Sequence, residues 1–214
     1  PWQFDTAELA KSIVARAEAA TKTHGAIVEA VNTRTQRVPP PLLFDLTSLQ
    51  RTANGRYGFS AQRTLDLAQS LYERHKVITY PRTDSRYLSR DIHAELPEVF
   101  DAVGAIGTYA PFVARLKKAL PGMSPRVFND ARVSDHHAII PTAKKPGALD
   151  RDEERLYDLI VRRFLGVFYP DAEFEITTAV VLVGAPTSAK PPAKRADVKP
   201  DTFLDALPPA PDRF

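Results

Sequence analysis

The run Ile78-Thr79-Tyr80-Pro81-Arg82-Thr83-Asp84-Ser85 places a phenol, a guanidinium, a carboxylate and three hydroxyls side by side. A proline ring disfavours the α region for the residue before it, so Tyr80 is predicted to be extended. Alternate residues of an extended segment share a face. Tyr80, Arg82 and Asp84 then line one side, and Thr79, Pro81 and Thr83 the other. A tyrosine beside an arginine suits attack on a phosphodiester, with the phenolate as nucleophile and the guanidinium fork gripping the phosphate oxygens. The same residues also admit a plain reading, in which Tyr80 is a boundary side chain with a solvated hydroxyl.

A second polar cluster reads Ser134-Asp135-His136-His137-Ala138-Ile139-Ile140-Pro141-Thr142. Two adjacent histidines project differently and no third ligand stands at a recognisable spacing, which argues against a metal site. A histidine that donates a proton or grips a phosphate fits better, because imidazole titrates near neutrality. A surface pair in a loop is the competing reading. Between residues 51 and 90, Arg51, Arg56, Arg63, Arg74, Lys76, Arg82, Arg86 and Arg90 outnumber Asp66, Glu73 and Asp84, and Tyr57, Phe59, Tyr72 and Tyr87 are interleaved with them. Basic and aromatic side chains so mixed suit single-stranded nucleic acid, which offers phosphates and stackable bases. An ordinary solvated face is the alternative.

The 214 residues, 43% of them hydrophobic, suffice for one large domain or two small ones. The net charge of +3 is too small to indicate nucleic acid by itself. No apolar run approaches the length of a membrane span, and the first residues lack the basic start and apolar run of a signal peptide. No Cys is present, which excludes disulfides and thiolate metal sites and fits an intracellular protein. The missing initiator Met fits a sequence that begins inside a longer protein.

These clusters need elements to hold them. Residues 5–24 read as an amphipathic helix capped by Asp5 or Thr6, with Leu9, Ile13, Val14 and Ala17 at helical spacing and Gly25 as its stop. Residues 26–38 alternate like a strand. Pro39-Pro40-Pro41 is a stiff break that reads as a domain junction. A helix follows over Leu42–Ala53, capped by Asp45 or Thr47, and Asn54-Gly55 reads as a turn. Ser60 caps the next helix, which runs to about His75 with Leu65, Ala68, Leu71 and Tyr72 as its apolar stripe. Gln69 and Glu73, four apart, share a face that leads toward Tyr80. A helix from Ser89 or Asp91 is predicted to stop near Pro97, and residues 98–120 continue as helix. Residues 150–168 form a strong helix capped by Asp150 or Asp152, and residues 173–183 a strand partly buried on both faces. The proline-rich stretch 184–214 reads as a flexible tail.

The two polar clusters resemble the signature motifs of the type IA DNA topoisomerases. The resemblance starts near Pro40-Pro41-Leu42, passes through Ala68-Gln69-Ser70-Leu71-Tyr72-Glu73 and Ile78–Ser85, and resumes over Ser134–Thr142. The order and spacing are similar to the topoisomerase III branch, over roughly residues 1–183. The resemblance implies a multidomain α+β fold in which a mostly helical, tyrosine-bearing domain is inserted into a β-rich arch, as part of a toroid around DNA. Residues 1–38 would be the first arch segment, 39–147 the helical domain, and 148–183 the return helix and arch strand, with hinges at residues 39–41 and at Pro146-Gly147.

By the same resemblance Tyr80, Arg82 and His136 are the catalytic residues, and Gln69, Glu73, Thr79, Thr83 and Asp84 line the DNA-binding site. Tyr80 attacks single-stranded DNA to give a 5′-phosphotyrosyl link, and a free 3′-hydroxyl later reverses the reaction. Phenols ionise near pH ~10 in water, and Arg82 is the best candidate to ease that cost and balance charge at phosphorus. The family's magnesium is held by an N-terminal metal-binding domain that nothing here resembles. The expected partners are therefore single-stranded DNA and that missing domain, with no membrane, no metal in this chain, and no activity of the isolated chain. The implied setting is the bacterial cytoplasm, on DNA. A non-catalytic single-stranded DNA-binding module remains the rival. A tyrosine recombinase is disfavoured, since it needs several Arg and His spread around its tyrosine.

Overall fold

In the computed structural model, residues 6–118 and 122–183 are described. The proline-rich stretch 184–214 lies outside them. Thr6 caps α1 (Ala7–His24), accepting from the Leu9 amide, and Gly25 ends it at φ 73°. Then come β1 (Ala26–Val38), α2 (Leu46–Tyr57) and α3 (Ala61–Gln69). A π-helical turn over Ser70–His75 continues α3. A 3₁₀ turn over Arg90–Ala94 precedes α4 (Leu96–Gly104) and α5 (Ala110–Lys118), and a second one covers Asp130–Arg132. The last elements are α6 (Arg151–Gly166) and β2 (Ala172–Val183).

The chain divides into two units, one of residues 37–174 and one that joins residues 1–36 to those beyond 174. In the smaller unit, no residue of α1 is buried, and Leu9, Ile13 and Val14 are exposed. β1 and β2 pair as a two-stranded sheet. Thr33 and Thr177 bond across it at 3.1 Å, and four residues further along β1 Arg37 meets Glu173 four residues back along β2, the register of an antiparallel pair. β2 is exposed at all but Ala172 and Ile176. The sequence predicts a strand partly buried on both faces, but a two-stranded ribbon leaves its faces uncovered.

The larger unit holds the core. Phe44, Phe100 and Phe164 are its largest fully buried side chains. Phe100, Phe164 and Phe168 pack edge to face or tilted at 5.3–5.6 Å between centroids, geometries that aromatic quadrupoles favour. α6 supplies much of this core through Leu156, Leu159, Ile160, Val161 and Phe164. The stretch 148–183 therefore divides: its helix packs within the helical unit and its strand pairs with β1.

Local signals account for most helix starts. Asp45 caps α2 by a capping box with Ser48, Ser60 caps α3, and Asp150 caps α6 by a box with Glu153. Three boundaries differ from the sequence reading. Asn54-Gly55 lies inside α2, which stops instead at Gly58 in the left-handed region. Pro97 sits in the first turn of α4, where a missing N–H costs nothing, so it opens a helix where the sequence predicts a stop. The 98–120 helix breaks into α4 and α5 across residues 105–109.

Glu153 is buried to 1% exposure. Burial alone raises a carboxyl pKa, but hydrogen bonds from Ser70, the Asp150 amide and Arg74, with the nearby His75, outweigh it and hold Glu153 at about 2, below its ordinary 4.5. A depressed folded-state value contributes stability that is present above the unfolded pKa and lost as pH falls toward the folded one. Acid unfolding of the wild-type protein should therefore show a loss of stability between pH 4.5 and about 2 that is smaller in Glu153→Gln; urea midpoints across that range measure it. In the core, Phe164→Ala should cost about 3–5 kcal/mol in urea unfolding, from lost burial plus the cavity left behind.

Candidate active site

The segment around Tyr80 owes its shape to how its neighbours satisfy it. The π turn ends at Lys76, which at φ 58° is the only non-glycine in the left-handed region among the described residues. The chain leaves that turn extended. Backbone polar groups there need partners, and the second polar cluster supplies them. Thr142 N donates to the Val77 carbonyl at 3.0 Å, and Thr79 N donates to the Ile140 carbonyl at 2.9 Å. Ile78 and Pro141 form an antiparallel bridge. Phe44 joins on the far side, bridging Ile139, whose amide donates to the Phe44 carbonyl at 2.8 Å. Leu46 N donates to the Thr83 carbonyl at 3.1 Å. Three extended pieces, remote in sequence, are thus laced together.

Burial alternates along the first cluster. Pro81, Thr83 and Ser85 are buried, Arg82 and Asp84 are exposed, and Tyr80 is half-buried. The side that carries Tyr80, Arg82 and Asp84 faces outward. Two of the other predicted site residues turn their hydroxyls to the second cluster. Thr79 Oγ1 donates to the Ala138 carbonyl at 3.1 Å and accepts from Ile140 N at 3.0 Å. Thr83 Oγ1 donates to the His136 carbonyl at 2.8 Å and accepts from Ser85 N at 3.1 Å. Ser85 Oγ donates to the Arg132 carbonyl at 2.8 Å. On the outward side, Asp84 Oδ1 accepts from Ser134 Oγ at 3.0 Å.

These ties bring His136 to Tyr80. Their ring centroids lie 4.4 Å apart at 47°, and His136 is exposed. On its other contact, Tyr80 meets the edge of Tyr72 at 5.4 Å and 76°. Tyr72, read from the sequence as part of the helix's apolar stripe, is 36% exposed. It stands on the π turn and packs against the nucleophile candidate. Arg82 Nη2 donates to Gln69 Oε1 at 3.2 Å. A carboxamide fixes one arm of the fork without neutralising it, so the guanidinium keeps its charge for an anion. Glu73 is exposed on the π turn.

The local basic excess is thinner than its count. Arg63, Arg74 and Arg90 are paired with Asp152, Glu153 and Asp130. Arg86 is half-buried, with Nε donating to the Leu43 carbonyl at 3.1 Å. His137 is half-buried, with Nδ1 2.8 Å from the Ala138 carbonyl. Among the described residues, no group of three or more His, Asp and Glu is placed to hold a metal. Sequence reasoning also missed Glu153, Ser70, Arg74 and His75 as a group behind the site; the capping-box spacing Asp150-x-x-Glu153 was the one signal available for it.

A sequence model of the DNA topoisomerase family matches residues 2–209. DNA topoisomerase 3 of Shouchella clausii is 50% identical over 155 residues, 71% of this chain and 21% of that protein. DNA topoisomerase 3 of Bacillus cereus is 44% identical over 166 residues, 77% of this chain and 23% of the relative. Full-length topoisomerase I from Thermotoga maritima is similar in structure, with a TM-score of 0.54 and 25% identity over 86% of this chain and 28% of that one. The chain thus spans about a fifth of the length of these curated relatives. On the full-length family match and on relatives this similar, the chain belongs to the type IA DNA topoisomerases, on their topoisomerase III branch.

Proposed function

We propose that this chain is the nucleophile-bearing part of an enzyme that changes DNA topology by cutting and rejoining one strand. The observation that carries the reading is the outward set of Tyr80, flanked by His136 at 4.4 Å and Tyr72 at 5.4 Å, with Arg82 two residues on along the same side. Tyr80 Oη attacks a backbone phosphorus of single-stranded DNA. The bond to the 3′ oxygen breaks, that oxygen leaves as a hydroxyl after taking up a proton, and a 5′-phosphotyrosyl ester remains. Attack by the 3′-hydroxyl restores the strand, and no external energy is consumed because the ester conserves the phosphodiester.

Arg82 places its charge against the phosphate oxygens, where charge builds in the transition state. Gln69 orients that guanidinium, and His136 contacts the same phosphate from the other wall. Glu73 and Asp84 border the strand's path on the exposed side. Thr79 and Thr83 shape that path through their bonds to residues 136–140. The helical unit serves as the mobile part of a toroid, opening to let a second strand through. The metal, and the acid that protonates the leaving oxygen, come from residues outside this chain, so the chain alone does not relax DNA. No described helix is long and apolar enough to cross a membrane.

The test is covalent capture. The chain is mixed with the remaining portion of a topoisomerase 3 relative, magnesium and end-labelled single-stranded DNA, and is then denatured. Wild type should give a labelled adduct and Tyr80→Phe none; DNA binding without any adduct would instead assign a non-catalytic binding module. Arg82→Ala should lower adduct formation by roughly 10²–10³-fold, the loss typical of a transition-state charge partner, while weakening DNA binding far less. Binding of single-stranded DNA should weaken with salt, with log affinity falling by about 0.7 per phosphate contact for each unit of log salt; a flat salt dependence would count against the groove.

A further inference from the structure

Glu153 sits at the third position of α6, far along the chain from the Tyr80 cluster, yet its carboxylate is aimed at the π turn. Oε1 accepts from Ser70 Oγ at 2.6 Å and from Arg74 Nη2. Oε2 accepts from Asp150 N at 3.0 Å and lies 3.2 Å from His75 Nε2. One buried group therefore holds the first residue of the turn and its last two. A carboxylate at 1% exposure needs its lone pairs filled. In this turn, whose i→i+5 winding is rare and commonly found at functional sites, Ser70 and Arg74 donate to one acceptor and His75 Nε2 stands beside it.

The outer surface of that turn is a wall of the candidate site. Gln69, immediately before it, bonds Arg82. Tyr72, within it, meets Tyr80 edge-on. We propose that Glu153 is a positioning residue for the Tyr80 site: by clamping the π turn from inside through Ser70, Arg74 and His75, it fixes Tyr72 against Tyr80 and Gln69 against Arg82. The inference deepens the reading of Tyr80 as nucleophile and rests on it only for its catalytic consequence.

The experiment uses the full chain, labelled with protonated tyrosine rings in a deuterated background. Tyr72→Phe and Tyr80→Phe assign the two ring systems. Wild type should show a strong ring-to-ring NOE between Tyr72 and Tyr80. Glu153→Gln and Ser70→Ala should each keep a cooperative thermal transition, lose at least half of that NOE, and move the Tyr80 ring signals. Asp152→Asn, a neighbouring acidic residue that pairs with Arg63 and Arg155 instead, should change neither. If Glu153→Gln does not fold, Ser70→Ala decides, since it removes one neutral donor from the same carboxylate. An NOE of wild-type strength in the folded variants overturns the proposal. In the reconstituted cleavage reaction, Ser70→Ala and Glu153→Gln should slow adduct formation at saturating DNA about tenfold and leave DNA affinity within about twofold; equal losses of rate and affinity would also overturn it. If wild type forms no adduct, the topoisomerase reading fails, and the NOE comparison still settles whether Glu153 sets the wall.

Discussion

The candidate site depends on one constraint: an extended backbone at the edge of a helical core must find hydrogen-bond partners that are not its own. From Val77 onward the chain can no longer use the helical ladder. The residues of the second polar cluster provide the missing partners at Val77, Thr79 and Thr83, through both backbone and hydroxyl groups. Because the Thr hydroxyls act as donor and acceptor at once, they tie main chain to main chain where a regular ladder does not run. The catalytic candidates Tyr80 and His136 lie on opposite members of this lacing. Their proximity follows from main-chain geometry and does not rely on a direct side-chain bond between them.

The electrostatics follow a related economy. Exposed ion pairs such as Arg90 with Asp130 contribute little to stability, but they remove positive charge from the surface that a sequence count would credit to a nucleic-acid groove. Arg82 is treated differently. Its partner is the neutral oxygen of Gln69, so its orientation is constrained while its charge stays available. Glu153 takes the opposite role, an anion kept inside and surrounded by donors, with Arg74 and His75 drawn toward it.

Much of the fold was legible from local chemistry. Thr6, Asp45, Ser60 and Asp150 are all residues whose short side chains favour helix starts, and each caps a helix. The alternation at Tyr80, Arg82 and Asp84 could be inferred from Pro81 alone. What escaped depends on distant partners. Tyr72 looks like core by spacing, yet it stands exposed on the π turn and meets Tyr80 edge to face, a contact with a residue outside its own helix. Pro97 is ambiguous in sequence because the same missing N–H ends one helix or opens the next. Asn54-Gly55 has the composition of a turn, yet α2 runs through it to Gly58. The exposure of β2 could not be read from its apolar content, since burial depends on what lies over a strand and not on the strand itself.

The alternating burial from Tyr80 to Ser85 carries a rule of parity. Each side chain here is assigned to solvent or interior by whether its distance from Tyr80 is even or odd, and the buried set, Pro81, Thr83 and Ser85, is anchored at Thr83 and Ser85 to residues 132–136. Inserting or removing one residue within the run would exchange the two sets, turning a guanidinium toward the interior and a threonine toward solvent. Two residues could in principle be added without that exchange. The segment is thus far less tolerant of a change in length by one than of many changes in residue type, and a related chain that differs here should differ by substitution or by an even step.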